Sequence, residues 1–368
     1  MAREQETRDE TAEHAAAAPD GPARPEGAAA TPPEVRPSRL RPAFAVVAVL
    51  VAVAVAFALT SPPPPVLPAR VAPADPAPAG LLGSGAAFAV RAGDVVVPFD
   101  TLAVVVLPGD TLALEALYVA GEAEATASGG AIRRTGPRAW TWTAPPTPGL
   151  SQVRVADAGG EAVVLQALAL TPFDHTTDRI GAYEIGDYQD EPMGGDSAYD
   201  EPLGFVAVTA ETRDVPVSPN FTLGDFLAKQ ASGWPKYVAL SPHLLIKMER
   251  LLAAVNEAGV PARDLTVMSG YRTPAYNAAI GNTTVYSRHL YGDAADVFVD
   301  EDGDGRMDDL NGDGVVDQAD AEWLAALADG VEAVPHNASL VGGVGIYGPA
   351  PHRGPFVHVD TRGSRVRW

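Results

Sequence analysis

Two imidazoles and a carboxylate are the residues in this chain best suited to chemistry. His289 and Asp296 lie in the stretch Ser287-Arg288-His289-Leu290-Tyr291-Gly292-Asp293-Ala294-Ala295-Asp296, and His358 lies in the later stretch Phe356-Val357-His358-Val359-Asp360. Such a set suits a catalytic zinc, which takes three protein ligands and keeps a fourth position open to water. Convergence of the three would make the protein a metal-dependent hydrolase. His289 and Asp296 are seven residues apart, too far for adjacent turns of one helix, so the spacing predicts a turn followed by a strand. Gly292 permits that turn, and Ala294 and Ala295 leave room for close packing. Asp296 then opens the apolar run Val297-Phe298-Val299, as a carboxylate leaving a buried strand.

The pattern Ser287-x-His289-x-x-Gly292-x-Ala294-x-Asp296, with a later strand histidine, resembles the zinc D-alanyl-D-alanine carboxypeptidase and murein DD-endopeptidase family, which is related in fold to the Hedgehog signalling domain. Ser269-Gly270-Tyr271-Arg272-Thr273-Pro274, Gly343-Val344-Gly345-Ile346-Tyr347 and Phe356-Val357-His358-Val359-Asp360-Thr361 also match it. The likeness runs from about Pro219 to Trp368. It implies that His289, Asp296 and His358 bind zinc and that Arg272 contacts substrate, with Tyr271 and Ser287 as further substrate-binding candidates. Ser287 is equally able to cap a turn. The substrate so implied is a peptidoglycan stem peptide or cross-link containing D-amino acids.

One position departs from the family pattern. Many members carry a Glu or Asp three residues before the last ligand, as general base, and here that position is Pro355. Strand alternation places Phe356, His358 and Asp360 on one face. Asp360 is therefore a catalytic candidate, either activating the zinc water or orienting His358. His352, in the loop before, is a further candidate for the base.

A second acidic pattern follows Asp296. Asp309, Asn311, Asp313, the Val315 carbonyl, Asp317 and Asp320 occupy positions 1, 3, 5, 7, 9 and 12 of an EF-hand-type loop, with Gly314 at position 6. Asp300 to Gly305 begins a similar loop, but Asn311 at its twelfth position is a poor bidentate ligand. A structural calcium is the expectation for 309–320; a solvated acidic hairpin is the competing reading. A helix from Ala319 through Leu327 should follow.

The elements around these residues can be read from the same pattern. Thr222-Leu223-Gly224-Asp225 has the form of a capping box. Ser241-Pro242 opens a helix with Leu244, Leu245, Met248, Leu251, Leu252 and Val255 on one face, ended by Gly259. Leu265–Met268, Ala295–Val299, Val344–Tyr347 and Phe356–Val359 read as strands, and Thr273-Pro274 starts a short helix ended by Gly281. Together they predict an α+β zinc peptidase domain, an antiparallel sheet with flanking helices, over 218–368, with the acidic insert at 300–320.

Upstream, 173–217 reads as an irregular connector and 86–172 as a small all-β, sandwich-like domain of short strands separated by turn signals. Residues 61–85 are a Pro/Ala-rich linker. Ala43 to Leu59 is an uninterrupted apolar run just long enough to span a bilayer, preceded by Arg36, Arg39 and Arg41. The expectation is a disordered cytoplasmic tail (1–42), an N-terminal transmembrane helix (43–60) as anchor, and a single-pass inner-membrane protein with its later domains in the periplasm or cell envelope. A cleaved signal peptide competes, although its leader would be long and Leu59-Thr60-Ser61 is a poor cleavage site.

The chain has no cysteine and a formal net charge of −21. The first excludes disulfides, a cysteine nucleophile and thiolate ligands; the second argues against nucleic acid as a partner. The expected function is a membrane-anchored zinc metallopeptidase acting on peptidoglycan. The alternative is a non-catalytic envelope-binding protein that uses the metal-stabilised fold as a scaffold.

Overall fold

The structure, a computed structural model, describes residues 75–83 and 85–368. The expected cytoplasmic tail, the membrane span and the first part of the linker lie outside the described residues. Among the described residues no helix is long and apolar enough to cross a membrane.

Alternation of buried and exposed side chains builds the first part. Strands β1 (Ala89–Ala92), β2 (Val95–Val97), β4 (Thr111–Leu117), β6 (Ala131–Gly136) and β7 (Ala139–Thr143) form a sheet in the order β2-β1-β4-β7-β6. Strands β3 (Thr101–Val106), β5 (Ala123–Ala127), β8 (Gly149–Asp157) and β9 (Ala162–Ala169) form a second, in the order β3-β9-β8-β5. In β8, Val153 and Val155 are buried while Gln152 and Arg154 face out. In β7, Trp140 and Trp142 are the buried pair. Both sheets send residues such as Leu114, Trp142, Val153 and Leu165 into one apolar core. Strands β5 and β6 are absent from the sequence expectation because they are sheet edges of Ala, Glu, Thr and Arg with few buried positions.

The second part mixes helices with a sheet. Helix α1 (Pro242–Glu257) buries all six residues of the face read from its sequence. Ser241 stands at its N-cap, but its side chain makes no capping bond. The capping box at Thr222 and Asp225 is formed, on a 3-10 turn. Helix α2 (Pro274–Ala279) is capped by the Thr273 hydroxyl, which accepts from the Tyr276 amide. Helix α3 (Gln318–Glu332) runs a turn further than expected, because Ala328 and Val331 continue its buried face.

Strands β10 (Thr266–Ser269), β11 (Ala294–Phe298), β12 (Gly343–Tyr347), β13 (Phe356–Asp360) and β14 (Val366–Arg367) form the sheet that carries the candidate residues, in the order β10-β11-β13-β12-β14. The pairs are antiparallel except β12 with β14. In this register Asp296 lies opposite His358, which in turn lies opposite Gly345.

A buried ion network ties the helices to this sheet. Lys247, fully buried on α1, donates to Glu332 Oε1 at 2.6 Å and to the Asp360 carbonyl at 2.7 Å. Glu332 on α3 also accepts from Arg367 at 2.5 Å and from the Gly342 amide. Burial depresses the Lys247 ammonium below its usual range against the pull of Glu332. Removing one member of such a pair leaves the other charge buried and poorly matched. Lys247→Met should lower the free energy of unfolding by about 3 kcal/mol, read as a lower urea midpoint; an unchanged midpoint would contradict this.

Candidate metal centre

His289 is carried by a 3-10 turn, Arg288–Tyr291, that ends at Gly292 with φ +72. Two constraints require glycine at 292: the left-handed backbone, and the Ala239 carbonyl, on which a Cβ would fall. The turn is braced from both flanks. Arg288 forks onto buried Asp293 (Nε–Oδ1 3.0 Å, Nη2–Oδ2 2.5 Å) and donates to the Ala198 carbonyl at 2.8 Å. The Tyr188 hydroxyl donates to the Leu290 carbonyl at 2.8 Å. The stretch read as an irregular connector thus supplies two of the braces.

The turn and the facing strands bring the three ligand candidates together. His289 Nε2 is 3.2 Å from Asp296 Oδ1, and His358 Nδ1 is 3.0 Å from the same oxygen. The imidazole centroids are 4.9 Å apart. The opposite ring nitrogens are both engaged: His289 Nδ1 with the Gly270 carbonyl at 2.6 Å, and His358 Nε2 with Asp360 Oδ2 at 3.1 Å. With Nδ1–H given to the Gly270 carbonyl, His289 turns a lone pair inward at Nε2, and His358 does so at Nδ1 once it gives up the proton it shares with Asp296. Two nitrogens and one oxygen converging in this way can hold a metal ion.

Electrostatics agree with that reading. Burial lowers the His289 pKa despite the neighbouring Asp296. Burial also opposes the charge on His358, but hydrogen bonds to Asp296 and Asp360 outweigh it and raise its pKa. Burial would lift the Asp296 carboxyl, and the two histidines instead hold it far below the usual carboxylate range. A proton taken up by His358 would hold the place that a cation takes.

Arg272 sits beside the triad. Its Nε donates to Ser269 Oγ at 2.8 Å, its Nη2 to Asp296 Oδ2 at 2.5 Å, and its amide to the His289 carbonyl. It braces the ligand carboxylate and also lines the cavity above it. Ser287 lines the same cavity and makes no capping bond. Tyr271 does not reach it: the ring is 1% exposed and its hydroxyl meets that of Tyr188. The structure puts Tyr271 in the core, away from the cavity that Arg272 lines.

Of the two roles open to Asp360, the geometry supports orientation of His358. Its side chain is fully buried and accepts from His358, the Gly343 amide and Arg362, so no oxygen is left for a water in the cavity. His352 is exposed on its loop and does not line the cavity. Arg362, Tyr347 and Trp368 do line it, and none was singled out from the sequence. Their signal is weak, since nothing in local spacing ties β14 to the ligands. The cavity encloses about 320 Å³.

The acidic insert folds as two successive loops of the same form. Asp300 accepts from the amides of 303, 304 and 305, and Asp309 accepts from those of 312, 313 and 314. The carboxylates of Asp300, Asp302 and Asp304 gather closely enough to hold a cation. Those of 309–320 form no such group among the described residues. Asp320 instead turns inward, accepting from the amides of Leu310, Asn311 and Asp317. The calcium expectation at Asp309, Asn311, Asp313, Val315, Asp317 and Asp320 draws as well on the Asn311 amide oxygen and the Val315 carbonyl, and it stands as a proposal. Asp317 and Asp320 also form the capping box of α3.

An open, buried His-Asp-His triad with tethered outer nitrogens defines a metallopeptidase-type site. A family model described as Peptidase M15 matches residues 220–311, within the C-terminal domain. The match includes His289 and Asp296 and ends before His358. No curated protein and no solved structure matches the chain.

Two outcomes follow from the triad. Asp360→Asn should weaken zinc binding about 10–100-fold, measured by competition with a chromogenic chelator; unchanged affinity would remove the orienting role. Because the folded His358 pKa is raised, its protonation stabilises the metal-free protein below about pH 6.5, and that contribution is lost as pH rises through the folded value. Zinc affinity should run the other way, falling as pH drops, since binding displaces that proton; a pH-independent affinity would contradict it.

Proposed function

We propose that the protein is a membrane-anchored zinc peptidase that hydrolyses D-amino-acid-containing peptide bonds in peptidoglycan stem peptides or cross-links, with its C-terminal domain facing the cell envelope. The observation that carries this is the meeting of His289 Nε2 and His358 Nδ1 at Asp296 Oδ1 on the floor of an open cavity. The resemblance of the surrounding motifs and the match to Peptidase M15 support the substrate class.

His289, Asp296 and His358 would hold the zinc. When bound there, zinc supplies Lewis acidity toward a peptide carbonyl and makes water more acidic. The chain's own residues do the rest. Gly270 and Asp360 fix the two imidazoles, so little reorganisation is needed. Arg272 holds Asp296 through Nη2, while its Nη1 makes no hydrogen bond among the described residues and is available to a substrate oxygen.

One observation favours the second reading, a non-catalytic envelope-binding protein. Among the described residues Asp296 is the only Asp or Glu lining the cavity, and Pro355 stands where the resemblance leads a base to be expected. Incubating the full-length protein with murein sacculi and separating the muropeptides distinguishes the two. Released stem peptides or monomers, abolished by chelation and by His358→Ala, are expected; zinc-loaded protein that binds sacculi and releases nothing supports the scaffold.

Calcium in the acidic insert is part of the same proposal, at the 309–320 loop that the sequence favours, with the Asp300, Asp302 and Asp304 carboxylates gathered beside it after the Asp296 strand. Calcium should raise the melting temperature of the full-length protein and EGTA should reverse the rise. A melting temperature indifferent to both would remove calcium from the reading.

A further inference from the structure

His289 is carried by a turn too short to hold a shape of its own. A single 3-10 turn closes few hydrogen bonds and is weak in isolation, and the one at Arg288–Tyr291 is four residues long. The bearing of its imidazole is therefore set by what packs on the turn.

Arg288, the residue before the ligand candidate, is 4% exposed. Its guanidinium sits over two aromatic rings, 4.5 Å from the centroid of Tyr199 and 4.6 Å from that of Tyr291. Those two rings meet edge-on with centroids 5.6 Å apart, so they form a corner that the cation fills. Tyr199 belongs to the connector and lies outside the family match. Its ring also meets Tyr286 edge-on at 5.7 Å. Tyr286 lines the cavity, and its hydroxyl donates to the Glu191 carbonyl of the connector at 2.8 Å.

Tyr199 is itself anchored. It ends a 3-10 turn, Ser197–Tyr199, capped by Asp196, whose carboxylate accepts from the Ala198 amide at 3.0 Å. The Tyr199 hydroxyl makes no hydrogen bond among the described residues. What the side chain offers Arg288 is therefore a π face and apolar contact.

Burial makes such a contact matter. A guanidinium taken out of water loses its hydration, and pairing with the single carboxylate of Asp293 recovers only part of that cost. Aromatic faces add attraction, and more of it where water is excluded. They leave the planar fork free to meet Asp293 at two points. Arg288 is thus held by its faces and by its edge, one residue before His289.

We propose that Tyr199 is a positioning residue for the metal centre: through Arg288 and Tyr291 it fixes the bearing of His289, and through Tyr286 it fixes the adjoining wall of the cavity. This rests on the reading of His289 as a metal ligand given above. The centre is thereby completed by a segment that precedes the peptidase domain.

Three variants of the full-length protein test this. Tyr199→Phe keeps the π face, whereas Tyr199→Leu keeps apolar bulk alone, and Tyr199→Met decides by the same criterion if the leucine variant does not fold. Zinc affinity is measured by chelator competition, and amide hydrogen exchange of the peptide 286–293 is followed in the metal-free protein. Tyr199→Leu should weaken zinc binding about tenfold and speed exchange across 286–293 about tenfold, with exchange in α1 unchanged. Tyr199→Phe should stay within about twofold of the wild type in both. Zinc affinity unchanged in the leucine variant, or a phenylalanine variant as weak as the leucine one, overturns the proposal while the metal reading stands. Faster exchange in the leucine variant of a protein whose wild type takes up no zinc leaves Tyr199 as the clamp of the turn and fells the metal reading instead.

Discussion

The carboxylate of Asp296 is buried in the middle of a sheet, and its surroundings are organised around that fact. An unpaired carboxylate there would cost several kcal/mol or take up a proton. Instead Oδ1 meets both imidazoles and Oδ2 accepts from Arg272, so both oxygens are engaged. Each of those partners is held in turn. Gly270 fixes His289, Asp360 fixes His358, and Ser269 fixes Arg272. The same closeness that makes the carboxylate tolerable makes the two nitrogens and one oxygen a ready set of metal ligands.

The restraints continue into the core. The Asp360 backbone carbonyl accepts from buried Lys247, Lys247 from α1 reaches Glu332 on α3, and Glu332 pairs with Arg367 on β14. Helices and sheet are thus joined by charge as well as by apolar packing, one step away from His358. On the other side, Tyr188 and Ala198 hold the turn that carries His289. The segment before residue 218 is therefore structural support for the triad, beyond any role as a spacer. A preorganised site of this kind needs little rearrangement to accept its cation or its substrate.

Much of the site was legible because metal chemistry limits the residue types that can serve. His289 and Asp296, separated by seven residues around a glycine, demanded a turn and then a strand, and that is how the chain runs. The helix face of α1 was legible from apolar period, and α3 was expected from the loop before it. Other parts were not. β5 and β6 carry too little apolar alternation to stand out, being edges with one half-covered face. Tyr271 stood next to Arg272 in a motif, yet one faces the core and the other the cavity, since neighbouring residues in extended backbone point opposite ways. In the acidic insert the loop positions were legible, but not that the Asp320 carboxylate would accept from the amides of Leu310 and Asn311.

By itself, then, the amino-acid order determined which side chains were capable of metal chemistry, where the strands and helices around them run, and that cysteine chemistry had no place here. Local spacing carries that information, because periodicity and turn preferences act over a few residues. Only the tertiary structure decided what each candidate does. The register that sets Asp296 opposite His358, the burial that turns Asp360 into a support for His358, and the return of β14 that lays Trp368 and Arg362 against the cavity all depend on contacts between distant segments. Such contacts are chosen by the packing of the whole sheet and its helices, and no stretch of sequence specifies them alone.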